Sequence, residues 1–251
     1  MFPGMFFYAL GMAAGLFAHN FSRSLAREGT AFPRCPTTGP LSLRTLPTPA
    51  ASALRHGARY FPLFFSLSPK SFLSAIITGA LFLLSYLNTP DYFGLVKVLG
   101  LLFLLLLVSL VDLRSHIIPN TLVLTVLAWG VLWQIILPSL AWHEAFLGML
   151  AGGGFLFLTA VISRGGMGGG DIKLMLAAGF YLGPALTALA LFIAVMTGAV
   201  AGLSLLILRI KKRKDPMAFG PFLCLGIMSA LLFGPLLLEL WGLSLHTIVS
   251  S

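Results

Sequence analysis

Seven carboxylates occur in this sequence: Glu28, Asp91, Asp112, Glu144, Asp171, Asp215 and Glu239. An ionised side chain at membrane depth costs roughly 2.5–3.5 kcal/mol, so an acid flush with a long apolar run demands a reason. Two qualify. Asp112 closes the run that ends in Leu110-Val111, and Asp171 opens the one that begins Ile172-Lys173-Leu174. Two carboxylates held close together cannot both ionise cheaply, and such a pair shares one proton. The ionised member can take a proton from water while the protonated member hydrogen-bonds a carbonyl oxygen. That is general acid–base chemistry that needs neither a metal nor a covalent intermediate.

The other acids have simpler readings. Glu28 lies among arginines, Asp215 follows Lys211-Lys212-Arg213-Lys214 as a counter-charge, and Asp91, Glu144 and Glu239 fall at the opposite membrane face. Structural alternatives exist for the chosen pair too. Asp171 suits the N-cap of the helix that follows it, and Asp112 could be an interfacial charge beside Arg114. The run Gly165-Gly166-Met167-Gly168-Gly169-Gly170 before Asp171 favours a site, because glycine permits close backbone approach. It is no phosphate loop, since no Gly-Lys-Ser/Thr follows. It is no dinucleotide fingerprint, since aspartate holds position 171 where a third glycine would stand. His116, four residues after Asp112, lacks the further ligands that a metal requires.

These acids need membrane helices to position them. The chain has 251 residues, of which 58% are hydrophobic and 9% charged, and its mean hydropathy is +0.99. A soluble domain needs roughly a quarter of its residues charged, so the expected solvent is lipid. At about 20 apolar residues per span, helices fall near 3–20, 71–87, 94–111, 119–137, 144–163 and 220–241. Residues 174–208 carry no charge and exceed one ordinary span. Gly183-Pro184 is the natural break, so two short helices are expected there. The fold class is therefore all-α, a polytopic membrane protein of about eight transmembrane helices. Residues 1–20 form the first helix, 21–70 a polar loop, and 71–251 the main embedded domain.

Charge placement sets the orientation. All but one of the 16 Lys and Arg residues fall in 21–70, 112–118, 164–173 and 209–215; the exception is Lys97. Positive residues stay cytoplasmic, which makes that face the cytoplasm and places both termini outside. The N-terminal apolar stretch has its positive charges, Arg23 and Arg27, after it, which fits a retained helix better than a signal peptide. Three spans bring the chain to Asp112 and two more return it to Asp171, so parity puts both acids on the cytoplasmic side. The formal charge of +9 reads as topology, with lipid and not nucleic acid as the partner. The spacings Gly11/Gly15, Gly148/Gly152 and Gly198/Gly202 read as helix-packing surfaces.

Three segments then carry a resemblance. Asp112-Leu113-Arg114-Ser115-His116-Ile117-Ile118-Pro119-Asn120 resembles the first aspartate motif of the type IV prepilin peptidases, a family of bacterial membrane aspartic peptidases. Gly168-Gly169-Gly170-Asp171-Ile172-Lys173-Leu174 resembles the second, and Phe219-Gly220-Pro221-Phe222 resembles a signature that opens their last helix. The resemblance implies that Asp112 and Asp171 are catalytic. It gives Gly168, Gly170, Lys173, Pro119, Asn120, Gly220 and Pro221 roles in substrate binding or structural support. It implies removal of a short basic leader from type IV prepilins or type II secretion pseudopilins, at the cytoplasmic face of the bacterial inner membrane. No cofactor is implied for that step. S-adenosylmethionine would serve only if N-methylation of the new terminus survives. The front end departs from the pattern: bifunctional members carry two Cys-x-x-Cys pairs in the first loop, whereas here Cys35 is followed by Thr38 and no second pair exists. One thiolate cannot close a zinc site, so no metal is expected and methylation is doubtful.

Other readings give different expectations. Presenilin-type proteases share Gly-x-Gly-Asp, but their first aspartate follows tyrosine, and here Val111 precedes Asp112. An ion-coupled transporter would hold its acids near the bilayer midplane, beside a broken helix. An inactive pilus or secretion scaffold would need no intact aspartate pair.

Overall fold

A computed structural model describes residues 2–30, 69–163, 167–209 and 218–240. They form α1 (Phe2–Thr30), α2 (Pro69–Asn88), α3 (Tyr92–Ser115), α4 (Asn120–Ile136), α5 (Trp142–Ile162), α6 (Gly169–Ile207) and α7 (Gly220–Leu240). The helix α1 runs about three turns past the expected end of the first span, to Thr30. Cys35, Thr38 and the basic run 211–214 lie outside the described residues.

Four helical stretches are long and apolar enough to cross a bilayer: Ser71–Asn88, Tyr92–Ser115, Trp142–Ile162 and Gly169–Ile207. Asn120–Ile136 and Gly220–Gly234 are shorter apolar helices. Leu150, Phe157, Ile162, Val200 and Ile207 are among many large apolar side chains on the outside. So continuous an apolar surface is a lipid-facing one. The protein is a multi-pass α-helical membrane protein.

The long helix α6 is not straight. Gly183 has φ 73 and ψ 175, a conformation essentially reserved for glycine, and Pro184 follows it. A Cβ added at Gly152 of α5 would touch both Met175 and Thr187, and one added at Gly148 would touch both Gly179 and Gly183. Along a straight helix Met175 and Thr187 would be about 18 Å apart, so the chain doubles back at Gly183. Its two halves are separate helices, as the break at Gly183-Pro184 predicts, and the described residues then hold eight helical segments.

Glycine sets how close these helices come. Gly148 stands so near the Gly179 carbonyl that any Cβ would collide with it. Gly11 and Gly15 of α1 face the backbone of Gly79 and Ala75 on α2 in the same way. The second half of α6 runs antiparallel to α7: Gly198 meets Phe219, Gly226 meets Ala190 and Ala194, and Gly234 meets Leu186. The main core lies where α3, α4, α6 and α7 meet, around Leu105, Val111, Val126, Leu174, Leu223 and Ile227.

The outlying acids have local duties. Asp91 caps α3 by accepting the Gly94 N–H at 2.9 Å, and Glu144 accepts the Ala141 N–H at 3.1 Å at the start of α5. Lys97, the isolated cation, donates to Ser139 at 2.6 Å and lies 5.0 Å from the centre of the Tyr181 ring.

Candidate active site

Asp112 and Asp171 are the only buried acids among the described residues, with 4% and 8% of their surface exposed. Asp112 sits in the last turn of α3. Its backbone carbonyl accepts the His116 N–H at 2.8 Å, where His116 adopts the left-handed conformation that ends the helix. That turn, with the extended Pro119, reverses the chain into α4. His116 is exposed and serves as the C-cap of α3.

Asp171 lies in the first turn of α6, not at its N-cap. Gly168 holds that position, and its carbonyl accepts the Asp171 N–H at 3.2 Å. An acid in a first turn still complements the positive end of the helix. Gly170 packs against Ile118, whose Cβ would be 3.0 Å from a Cβ added there. The glycine before Asp171 thus lets the start of α6 lie on the loop that follows Asp112.

The two acids come together across helices that share little backbone contact. Each is within electrostatic reach of the other. Cys224, one turn into α7 and fully buried, is within reach of both. Parity anticipates the shared face, since α3 ends there and α6 begins there.

The helix α7 completes the site. The Gly220 N–H donates to Asp112 Oδ2 at 3.0 Å, a buried contact. A Cβ at position 220 would lie 2.6 Å from that oxygen, so only glycine admits it. Phe219 begins the helix by accepting N–H groups from Phe222 and Leu223, and Pro221 occupies the first turn, where no N–H partner is needed. This bond also fixes the topology: Gly220 must share a face with Asp112 and Asp171, so residues 174–208 cross the membrane an even number of times.

Lys173 donates to Asn120 at 3.0 Å, which ties the start of α6 to the start of α4. Arg114 reaches the His19 carbonyl at 2.9 Å and its ring at 3.0 Å, joining α3 to α1. Sequence reasoning missed Cys224 and His19. Cys224 was findable, since four residues after Gly220 a helix returns to the same face. His19 carries no such signal, because only the packing of α1 brings it to Arg114. The break at Gly183 is packed against Leu140, and the paired acids lie at helix ends instead of beside it, unlike a transport site.

Two buried acids at helix ends of a helical membrane protein, within electrostatic reach of each other, make a candidate acid–base pair. Residues 98–203, which include both acids, match the type IV leader peptidase family. The chain is similar to the prepilin leader peptidase/N-methyltransferase of Bacillus subtilis (strain 168), 31% identical over 159 residues, covering 63% of this chain and 64% of that protein. Its counterpart in Escherichia coli (strain K12) is 32% identical over 159 residues, 61% of this chain and 62% of that one. That of Aeromonas salmonicida (strain A449) is 28% identical over 176 residues, 67% and 60% of the two chains. The chain thus spans less than two thirds of the length of each of these relatives. No solved structure matches the chain.

Proposed function

We propose that this protein is an aspartic endopeptidase that removes the basic leader from type IV prepilins or type II secretion pseudopilins at the cytoplasmic face of the bacterial inner membrane. The observation that supports this most is that Asp112 and Asp171, buried and from separate helices, lie within electrostatic reach of each other inside the segment that matches the leader peptidase family. The similar proteins carry prepilin leader peptidase in their names, and the distribution of Lys and Arg favours a cytoplasmic site.

In this reading the pair holds one proton. The ionised carboxylate takes a proton from a water molecule as the water oxygen bonds to the scissile carbonyl carbon. The protonated carboxyl hydrogen-bonds the carbonyl oxygen. When the C–N bond breaks, the proton taken from water goes to the leaving nitrogen. Both groups are needed, and neither is replaceable by its amide. Gly168, Gly170, Pro119, Asn120, Lys173 and Pro221 act as supports that set the helix starts around the pair. No cofactor is invoked. Methylation is not part of the proposal, since Cys35 has no partner within a Cys-x-x-Cys pair.

Asp112→Asn and Asp171→Asn should each abolish cleavage of a prepilin in membranes, at least 10³-fold by analogy with other catalytic groups that act as a unit, while the protein still accumulates. Wild-type cleavage rates in either variant would remove that residue from the mechanism. Mass spectrometry of the mature pilin N-terminus should find the leader gone and no added methyl group.

A further inference from the structure

The two acids are not equivalent. Asp112 accepts a buried N–H from the first turn of α7, at 3.0 Å from Gly220. That amide belongs to the first residue of its helix and has no intrahelical partner. Asp112 therefore satisfies an orphan donor of another helix. Among the described residues the Asp171 carboxyl accepts no hydrogen bond at all. Both acids lie near the positive end of a helix, α7 for Asp112 and α6 for Asp171. What separates them is the direct donor. A hydrogen bond to a carboxylate is stronger than one to its neutral acid, so the shared proton is driven to the acid that lacks the donor.

Resting on the reading of the pair as a peptidase site, we infer that Gly220 is a positioning residue that holds Asp112 as the ionised, water-activating base and leaves the proton on Asp171, which bonds the scissile carbonyl. The absent Cβ is part of the device, because any larger residue would displace Oδ2 from the amide. The titratable groups that act on Asp112 are Asp171 from α6, Cys224 from α7 and His116 at the end of its own helix. The sequence of α4 contains no titratable side chain.

The test removes the backbone donor at position 220. Glycolic acid at position 220 replaces the N–H with an ester oxygen and leaves every side chain in place. Purified wild-type and ester proteins are reconstituted in vesicles, and cleavage of a synthetic prepilin is followed across pH. In the ester protein kcat at neutral pH should fall about tenfold, as expected for loss of one charge-assisted hydrogen bond, with KM within about twofold. The acid limb of the profile, where the base must be ionised, should move to higher pH. A fall in rate with both limbs unmoved would make Gly220 merely structural, and movement of the basic limb alone would place the proton on Asp112; either overturns the assignment. Should the ester protein fail to accumulate, the wild-type protein labelled with 15N-glycine serves instead. Its Gly220 amide resonance should move in step with the acid limb, and movement with the basic limb would overturn the assignment. A wild-type protein that cuts no prepilin would defeat the peptidase reading itself, a separate outcome.

Discussion

The glycines around the acids look alike in sequence and differ in what surrounds them. At Gly220 a methyl group would lie 2.6 Å from an oxygen of Asp112, whereas at Gly169 it would meet nothing within 4 Å. Gly220→Ala should therefore lower cleavage by about 10²-fold, the order expected when a reacting group is displaced by about 1 Å. Gly169→Ala should cleave at the wild-type rate. Initial rates in membranes, normalised to protein level, decide both. The five glycines between 165 and 170 suggest an open site, yet only the fold shows that Gly170 faces Ile118 and Gly168 faces Asp171. Asp171 illustrates the same limit. Its residue type suits an N-cap, but the helix starts earlier because Gly168 supplies the capping carbonyl.

At the scale of elements, the hairpin within α6 and its fit against α5 govern where Asp171 sits. Gly148 and Gly179 face each other too closely for any side chain. Gly148→Ala should destabilise the protein by about 1–3 kcal/mol, the usual range for overpacking. Gly154→Ala, whose added methyl meets only Leu150 at 3.8 Å, should leave the thermal midpoint in detergent unchanged. Gly183→Ala should lower that midpoint too, because the left-handed φ of 73 strains any residue with a Cβ. The break at Gly183-Pro184 was legible because an uncharged run longer than one bilayer must turn, and Gly-Pro is where a helix yields. The length of α1 was not. Residues from 21 onward read as loop, yet the helix continues to Thr30 and Ser22 is buried, and tertiary partners such as Arg114 on α3 take up polar groups of α1 such as the His19 carbonyl.

Across the whole molecule, the proposed orientation puts the ends of α3 and the starts of α4, α6 and α7 at the cytoplasmic face. In a variant with Cys35 and Cys224 replaced by serine, Ile117→Cys should resist a membrane-impermeant thiol reagent in intact cells and react in inverted vesicles. Ser139→Cys, on the other face, should do the reverse. Labelling of both from one side would contradict the single crossing by α4 that parity needs to bring Asp112 and Asp171 to one face. The bond from Gly220 to Asp112 and the doubling back at Gly183 independently require an even number of crossings between Asp171 and Gly220, since one contact spans 108 positions and cannot form if the helices between them leave the chain on the wrong side.

Composition and apolar run length were enough to read a helical membrane protein, and crossing parity with the placement of Lys and Arg was enough to propose two acids on one face. These are additive properties: transfer free energies and crossing parity sum along the chain without regard to which helix touches which. The choice of partner for each acid was not of that kind. That Asp112 takes the amide of Gly220, that Lys173 turns to Asn120 and that Cys224 lies beside both carboxylates depend on how α3, α4, α6 and α7 pack. Side-chain packing is set by contacts between residues far apart in sequence, and no local pattern encodes it.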